Sequence, residues 1–122
     1  SRGSVAHLNK LQQLLAMCEQ AFRPVQGSIS PTEDELATTA LLLDKLTAED
    51  LGMRHSDFST TKCILYTDVV AGDKYTMCIF TLPAGATLPL HDHPGMVVFS
   101  KVLWGQLTVS AFDRASSVGK EE

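Results

Sequence analysis

The chain has 122 residues, of which 44% are apolar and 20% are charged, and its formal net charge is −4. This composition predicts about one small domain with a packed core and excludes a chain that is disordered throughout. The absence of a basic run argues against binding to nucleic acid or to acidic membrane surfaces, which require clustered Lys and Arg.

The first fifty residues carry helical patterns. Apolar residues recur every three or four positions over residues 5–22, as on one face of a helix. Ser30 is the predicted N-cap of a second helix that covers residues 31–46. One short helical turn is expected at residues 47–50, with Gly52 as its left-handed C-cap. The sequence therefore predicts a helical N-terminal segment over residues 1–56.

The remaining residues, 57–122, have a composition typical of β-strands and turns. Residues 62–70 and 74–82 are rich in β-branched and aromatic side chains and flank a glycine-containing turn, which predicts a β-hairpin. Residues 96–103 and 106–112 predict a second hairpin around Trp104-Gly105.

The pair His91 and His93 is the candidate metal-binding motif. Residues two apart on a strand point to the same side, so the two imidazoles converge while Asp92 faces away. An HxH pair taken alone is more often two surface histidines in a turn. Here Gly85 and Gly105 flank the pair at positions where a barrel needs turns, and this favours a metal site.

These residues resemble the first conserved motif of the cupins, in which a glycine, an HxH pair, a glutamate and a second glycine follow at set spacings. Every position matches except the glutamate, which is replaced by Val98. The stretches 88–96, LPLHDHPGM, and 101–105, KVLWG, are similar to the cysteamine dioxygenase and plant cysteine oxidase family of thiol dioxygenases. The stretch 47–52, TAEDLG, resembles the helix that precedes the barrel in that family.

The resemblance implies a mainly β fold, with α-helices preceding the N-terminal half of a double-stranded β-helix (cupin) barrel. That half would lie in residues 57–122, and the remainder of the barrel would be absent from this chain. The C-terminal half of the same protein could then be supplied as a separate chain. The sequence shows neither a signal peptide nor an apolar membrane-spanning run, which predicts a location in the cytosol or the nucleus.

The resemblance also implies a function. The protein would be a non-haem iron dioxygenase that uses Fe(2+) and O₂ to convert a thiol, either cysteamine or an N-terminal cysteine of a peptide, to a sulfinic acid. Three histidines would hold the iron: His91, His93 and a third expected beyond Glu122. His7 and His55 are expected at the surface and are not assigned as ligands.

Two alternatives stay open at this point. One is a different metal-dependent cupin enzyme. The replacement of the glutamate by Val98 and the HPGM sequence motif argue against it. The other is a catalytically incomplete cupin fragment that serves as a binding module. A histidine that completes the site would discriminate the enzyme from the binding module.

The three cysteines, Cys18, Cys63 and Cys78, include no CxxC pair. This count predicts neither a disulfide framework nor a cysteine zinc site, and it fits a reducing compartment. Each thiol is expected to be a small core residue, on a helix face for Cys18 and in predicted strands for the other two.

Overall fold

The computed structural model describes residues 8–57, 61–88 and 96–109. They form two α-helices followed by a two-stranded antiparallel sheet, an order consistent with a partial cupin-like fold. In chain order these elements are α1 (Lys10–Ala21), α2 (Glu33–Lys45), β1 (Leu65–Ala71) and β2 (Thr76–Thr81).

Helix α1 begins where its first backbone N–H groups find partners. The Asn9 side chain accepts the N–H of Gln12 at 2.8 Å, and the Gln12 side chain accepts the N–H of Asn9 at 3.0 Å. This reciprocal capping box fixes the first helical residue at Lys10, later than the start near Val5 that periodicity alone predicts. The helix ends at Ala21, just before Arg23-Pro24, as predicted.

Helix α2 starts two residues later than its predicted beginning. The N-cap is Thr32 rather than Ser30: its hydroxyl accepts the N–H of Glu35 at 3.0 Å, and the Glu35 carboxylate accepts the N–H of Thr32 at 2.9 Å. Ser30 and Thr32 each have a glutamate three positions on, Glu33 and Glu35, but the reciprocal hydrogen bonds of the capping box join Thr32 and Glu35. These hydrogen bonds, the backbone N–H of Thr32 first among them, lower the pKa of Glu35.

Replacing this cap tests the assignment. We expect Thr32→Ala to lower the free energy of unfolding by about 1 kcal/mol, because the N–H of Glu35 loses its side-chain acceptor. Thr38→Ala, inside the same helix, is the matched control and should cost little because alanine is the better helix former. Urea unfolding followed by circular dichroism measures both, and equal losses would show that Thr32 is not the cap.

The 3₁₀ turn after α2 has the predicted place. It spans Glu49–Leu51, and Gly52 follows in the left-handed region with φ 72°. The Asp50 carboxylate accepts the backbone N–H of Thr47 at 2.8 Å and its hydroxyl at 2.9 Å. These bonds lower the pKa of Asp50. The turn is therefore held by its own capping residues.

The core of the described residues lies between the helices. Leu14, Cys18 and Leu46 are buried together, so Cys18 has the predicted core position. Burial and the charge of the neighbouring Glu19 raise the pKa of Cys18, which keeps it a neutral thiol. Tyr75 and Met77 of the sheet region also pack against this cluster. The helices thus form a platform on which one end of the hairpin rests.

Strands β1 and β2 form the first predicted hairpin. Their register pairs Leu65 with Thr81 at one end and Ala71 with Thr76 at the other, with a bulge between Asp68 and Val70. A bulge places one extra residue, here Val69, in one strand and so reverses which face the following side chains occupy.

The second predicted hairpin is not observed. Among the described residues, 96–109 contain no strand. A strand exists only where its N–H and C=O groups pair with a neighbouring strand, so β-propensity without a pairing partner does not produce one. Residues 110–112 of that prediction lie outside the described residues. In the described ranges, no helix has the length and apolarity needed to cross a bilayer.

Candidate metal centre

The predicted ligands His91 and His93 belong to residues 89–95, outside the described residues. The structure describes the chain on both sides of them, up to Leu88 and from Met96 onward.

The flank that precedes the histidines is a turn. Strand β2 ends at Thr81, and the N–H of Ala86 then donates to the carbonyl of Pro83 at 3.0 Å. Gly85 lies in this turn with φ 81°, a conformation that side-chain-bearing residues rarely adopt. The sequence prediction of a turn at this glycine is confirmed, and the turn redirects the chain before the histidines.

The flank that follows the histidines presents apolar side chains to solvent. Met96, Val97 and Val98 are all more than half exposed, and Trp104 is 60% exposed. Gly105 has φ 90°, which confirms the second predicted turn. A contiguous apolar run of this kind on a soluble domain is typical of a surface that another segment or partner covers.

Two contacts tie this second flank to the helical segment. The Lys101 ammonium donates a hydrogen bond to the backbone carbonyl of Asp44, in the last turn of α2. Carbonyls at a helix C-terminus lack intrahelical partners and carry partial negative charge, so a lysine is a favourable partner there. The rings of His55 and Trp104 also stack, with centroids 4.5 Å apart.

A shallow cavity of about 370 Å³ lies beside the Lys101 contact. Its lining comes from Ala40, Leu43 and Asp44 of α2 and from residues 99–102. Asp44 is its one potential metal ligand among the lining residues, so this cavity is not a metal site by itself. It marks instead where the post-histidine segment lies against α2.

The other histidines and cysteines differ in their exposure. His55 is exposed in a 3₁₀ turn, as predicted, while His7 lies outside the described residues. Within the described ranges, no three His, Cys, Asp or Glu side chains cluster to hold a metal. Cys63 is exposed and precedes β1, so its predicted core position is wrong, because the strand begins two residues later at Leu65. Cys78 is half-buried in β2.

Sequence reasoning missed one cluster, on a single face of the hairpin. Tyr66 pairs with Phe80, and Asp68 pairs with Cys78, so these four side chains lie on the same face. A hydrogen bond to the Cys78 thiol, and then the charge of Asp68, raise the pKa of Tyr66. The alternation of Tyr66 and Asp68 was a signal for a shared face, but only the strand register reveals their partners.

Comparisons with known proteins indicate the same family as the sequence motif around His91 and His93. The family model PCO_ADO matches residues 41–122, which include both histidines and the whole post-histidine flank. Plant cysteine oxidase 2 of Arabidopsis thaliana is 30% identical over 110 residues, covering 84% of this chain and 40% of that protein. The 2-aminoethanethiol dioxygenase of Homo sapiens is 30% identical over 92 residues, covering 70% of this chain and 34% of that protein.

A third relative, plant cysteine oxidase 1 of Arabidopsis thaliana, is 28% identical over 116 residues, covering 87% of this chain and 40% of that protein. The chain thus spans about two fifths of the length of these plant relatives. No solved structure matches the chain. Because the family model covers well over half of the residues, the chain belongs to the plant cysteine oxidase and 2-aminoethanethiol dioxygenase family.

Proposed function

We propose that this chain carries the iron-binding half of a thiol dioxygenase. The enzyme would combine O₂ with a thiol, either cysteamine or an N-terminal cysteine of a peptide, and release a sulfinic acid. The observation that carries the proposal is the HDHPGM motif, within a matched family whose relatives are named for cysteine and 2-aminoethanethiol oxidation. We place the protein in the cytosol or nucleus.

The proposed ligands are His91 and His93, with a third histidine beyond Glu122 or on a separate chain that supplies the rest of the barrel. Imidazole is a ligand that suits iron. Between Lys74 and Phe112 the only acidic residue is Asp92, and the alternation of side chains along a strand would turn it away from the two histidines. The donor set of this chain is therefore neutral.

A neutral donor set has a chemical consequence. His91 and His93 would hold Fe(2+) without neutralising its charge, and the metal would supply a positive centre that lowers the pKa of a bound thiol and leaves open positions for O₂. Both oxygen atoms end on sulfur, and the sulfur supplies all the electrons that O₂ accepts, so no separate reductant is required. The role of His91 and His93 is to hold the metal while leaving positions open for the reactants.

The exposed apolar flank supports the proposal that this chain holds only part of a cupin barrel. Met96, Val97, Val98 and Trp104 would be covered by the strands that complete the cupin barrel, from the same protein or from a separate chain. The length of the plant relatives leaves room for those strands, since this chain spans 40% of them.

The proposal is tested by O₂ consumption with purified protein, ferrous iron and either cysteamine or a peptide that begins with cysteine. We expect thiol-dependent uptake of one O₂ for each sulfinic acid identified by mass spectrometry. Formation of disulfide or hydrogen peroxide instead of sulfinic acid would contradict it, because those products leave no oxygen on sulfur.

Position 98 offers a second test. Val98 is 52% exposed and replaces the glutamate of the cupin motif. We expect Val98→Glu to lower thiol oxidation by about tenfold or more, because a carboxylate ligand would occupy an open position and reduce the metal's charge. Val97→Glu, at the equally exposed neighbouring residue, is the matched control for added charge. Unchanged turnover in Val98→Glu would show that position 98 does not face the metal.

A further inference from the structure

Ser30 lies in the loop between α1 and α2 and does not have the capping role that the sequence predicts for it. The hydroxyl of Thr32, and not that of Ser30, accepts the N–H of Glu35 and caps α2. The Ser30 side chain is exposed, and its hydroxyl lies 3.4 Å from the hydroxyl of Ser28. A hydroxyl in this position is open to a reactant from solvent.

A tight turn holds the start of this loop. The N–H of Val25 donates to the carbonyl of Ser28 at 2.8 Å, and the N–H of Ser28 donates to the carbonyl of Val25 at 3.1 Å. Both residues between them, Gln26 and Gly27, have positive φ, of 54° and 79°. Two consecutive residues with positive φ are typical of a type I′ turn, which reverses the chain. The turn and the α2 cap therefore fix the two ends of a short segment, residues 29–31.

This segment is exposed and extended. Proline disfavours a helical conformation of the residue before it, so Pro31 restricts Ser30 to the extended region. The N-cap Thr32 is also extended, with φ −75° and ψ 164°. The side chain of Ile29, on the other side of Ser30, is 42% exposed. An exposed, extended segment is the form in which a chain enters the cleft of a modifying enzyme.

The dipeptide Ser30-Pro31 has a chemical feature that such an enzyme can select. The peptide nitrogen after the serine carries no hydrogen, because proline lacks a backbone N–H. An apolar pocket without a hydrogen-bond acceptor takes the proline ring, whereas another residue would bury an unpaired N–H there. Of the five prolines in the chain, only Pro31 follows a serine or a threonine. The chain therefore offers one site to a kinase that selects proline.

We propose that Ser30 is a phosphorylation site for a proline-directed serine kinase. The Ser30 Oγ forms a bond to the γ-phosphorus of ATP, the bond from that phosphorus to the oxygen of the ADP leaving group breaks, and the hydroxyl proton passes to a carboxylate of the kinase. The phosphate carries a charge of about −1.5 to −2. That charge stands just before the acidic first turn of α2, which contains Glu33, Asp34 and Glu35.

Ser30 lies outside residues 41–122, the range that the family model matches. Phosphorylation of the loop is therefore independent of the proposed thiol oxidation, and Ser30→Ala should leave thiol-dependent O₂ consumption unchanged.

The test is phosphorylation of the folded, purified chain by a mitogen-activated protein kinase, a proline-directed enzyme, with ATP. We expect intact mass spectrometry to show one added phosphoryl group and fragmentation to place it on Ser30. Ser30→Ala should prevent the addition. Pro31→Ala should slow it by about tenfold or more, because the pocket for the ring is left partly empty. Ser28→Ala, at an exposed serine without a following proline, is the matched control and should leave the rate unchanged.

Circular dichroism of each variant checks that the two helices are intact. No added phosphate, a phosphate on Ser28 instead of Ser30, or equal rates for wild type and Pro31→Ala would overturn the assignment. A synthetic peptide of residues 24–36 provides a further comparison. Phosphorylation of this peptide but not of the folded chain would also overturn the assignment, because the site depends on the exposure of Ser30 in the folded protein.

Discussion

Replacing His91 or His93 by alanine is expected to abolish iron retention and thiol oxidation together. Each change removes one of the two imidazoles that this chain supplies, and no three ligating side chains cluster among the described residues to compensate. We expect loss of turnover by a factor of about a hundred or more, in line with the loss of a metal ligand or its support. Metal analysis and O₂ consumption measure the two effects on the same sample.

The matched control for this pair is His55→Ala. His55 is exposed and stacks on Trp104, so its removal should leave the iron content unchanged. If iron is retained after both His91 and His93 are replaced, the metal assignment is wrong. If iron is lost equally in His55→Ala, the effect belongs to the fold of the post-histidine flank and not to ligation.

The largest expected effect on stability is that of Leu14→Ala. Leu14 is 1% exposed and lies in the small core with Cys18 and Leu46. Truncating it leaves a cavity that few neighbours can fill, so we expect the free energy of unfolding to fall by about 2–5 kcal/mol. Denaturant unfolding measures the loss. Leu41→Ala, at a residue that is 54% exposed, is the control and should change stability by no more than about 0.5 kcal/mol.

Leu14→Ala also tests how the hairpin is supported. Tyr75 and Met77 pack against the same cluster, and the Phe22 and Tyr75 rings lie 6.2 Å apart. Amide hydrogen exchange of β2 should therefore quicken in the variant. Unchanged exchange in β2 would show that the hairpin does not depend on the helical platform.

The sequence predicted the local elements well because their signals are local. Capping residues, helical periodicity and the turn at Gly85 depend on neighbours within a few positions, and each element appears near its predicted place. The N-cap of α2 was misplaced because Ser30-Pro31 and Thr32 both carry start signals, and the reciprocal bond to Glu35 decides between them.

Features that depend on distant residues were predicted less well. β-Propensity over residues 96–109 did not produce strands, since pairing partners decide strand formation. Cys63 was expected in the core, although it precedes the strand and is exposed. The face shared by Tyr66, Asp68, Cys78 and Phe80 arises from cross-strand pairs, which composition does not reveal. Of the candidate site, both flanking turns are confirmed, while ligation by His91 and His93 stays a prediction.

The most direct test of the thiol dioxygenase proposal is oxidation of a peptide with an N-terminal cysteine under isotopically labelled ¹⁸O₂, followed by mass spectrometry of the product. We expect a sulfinic acid in which both oxygen atoms carry the label, formed by the iron-loaded protein and not by the His91→Ala variant. A product that takes oxygen from water, or carries a single labelled atom, would contradict a dioxygenase.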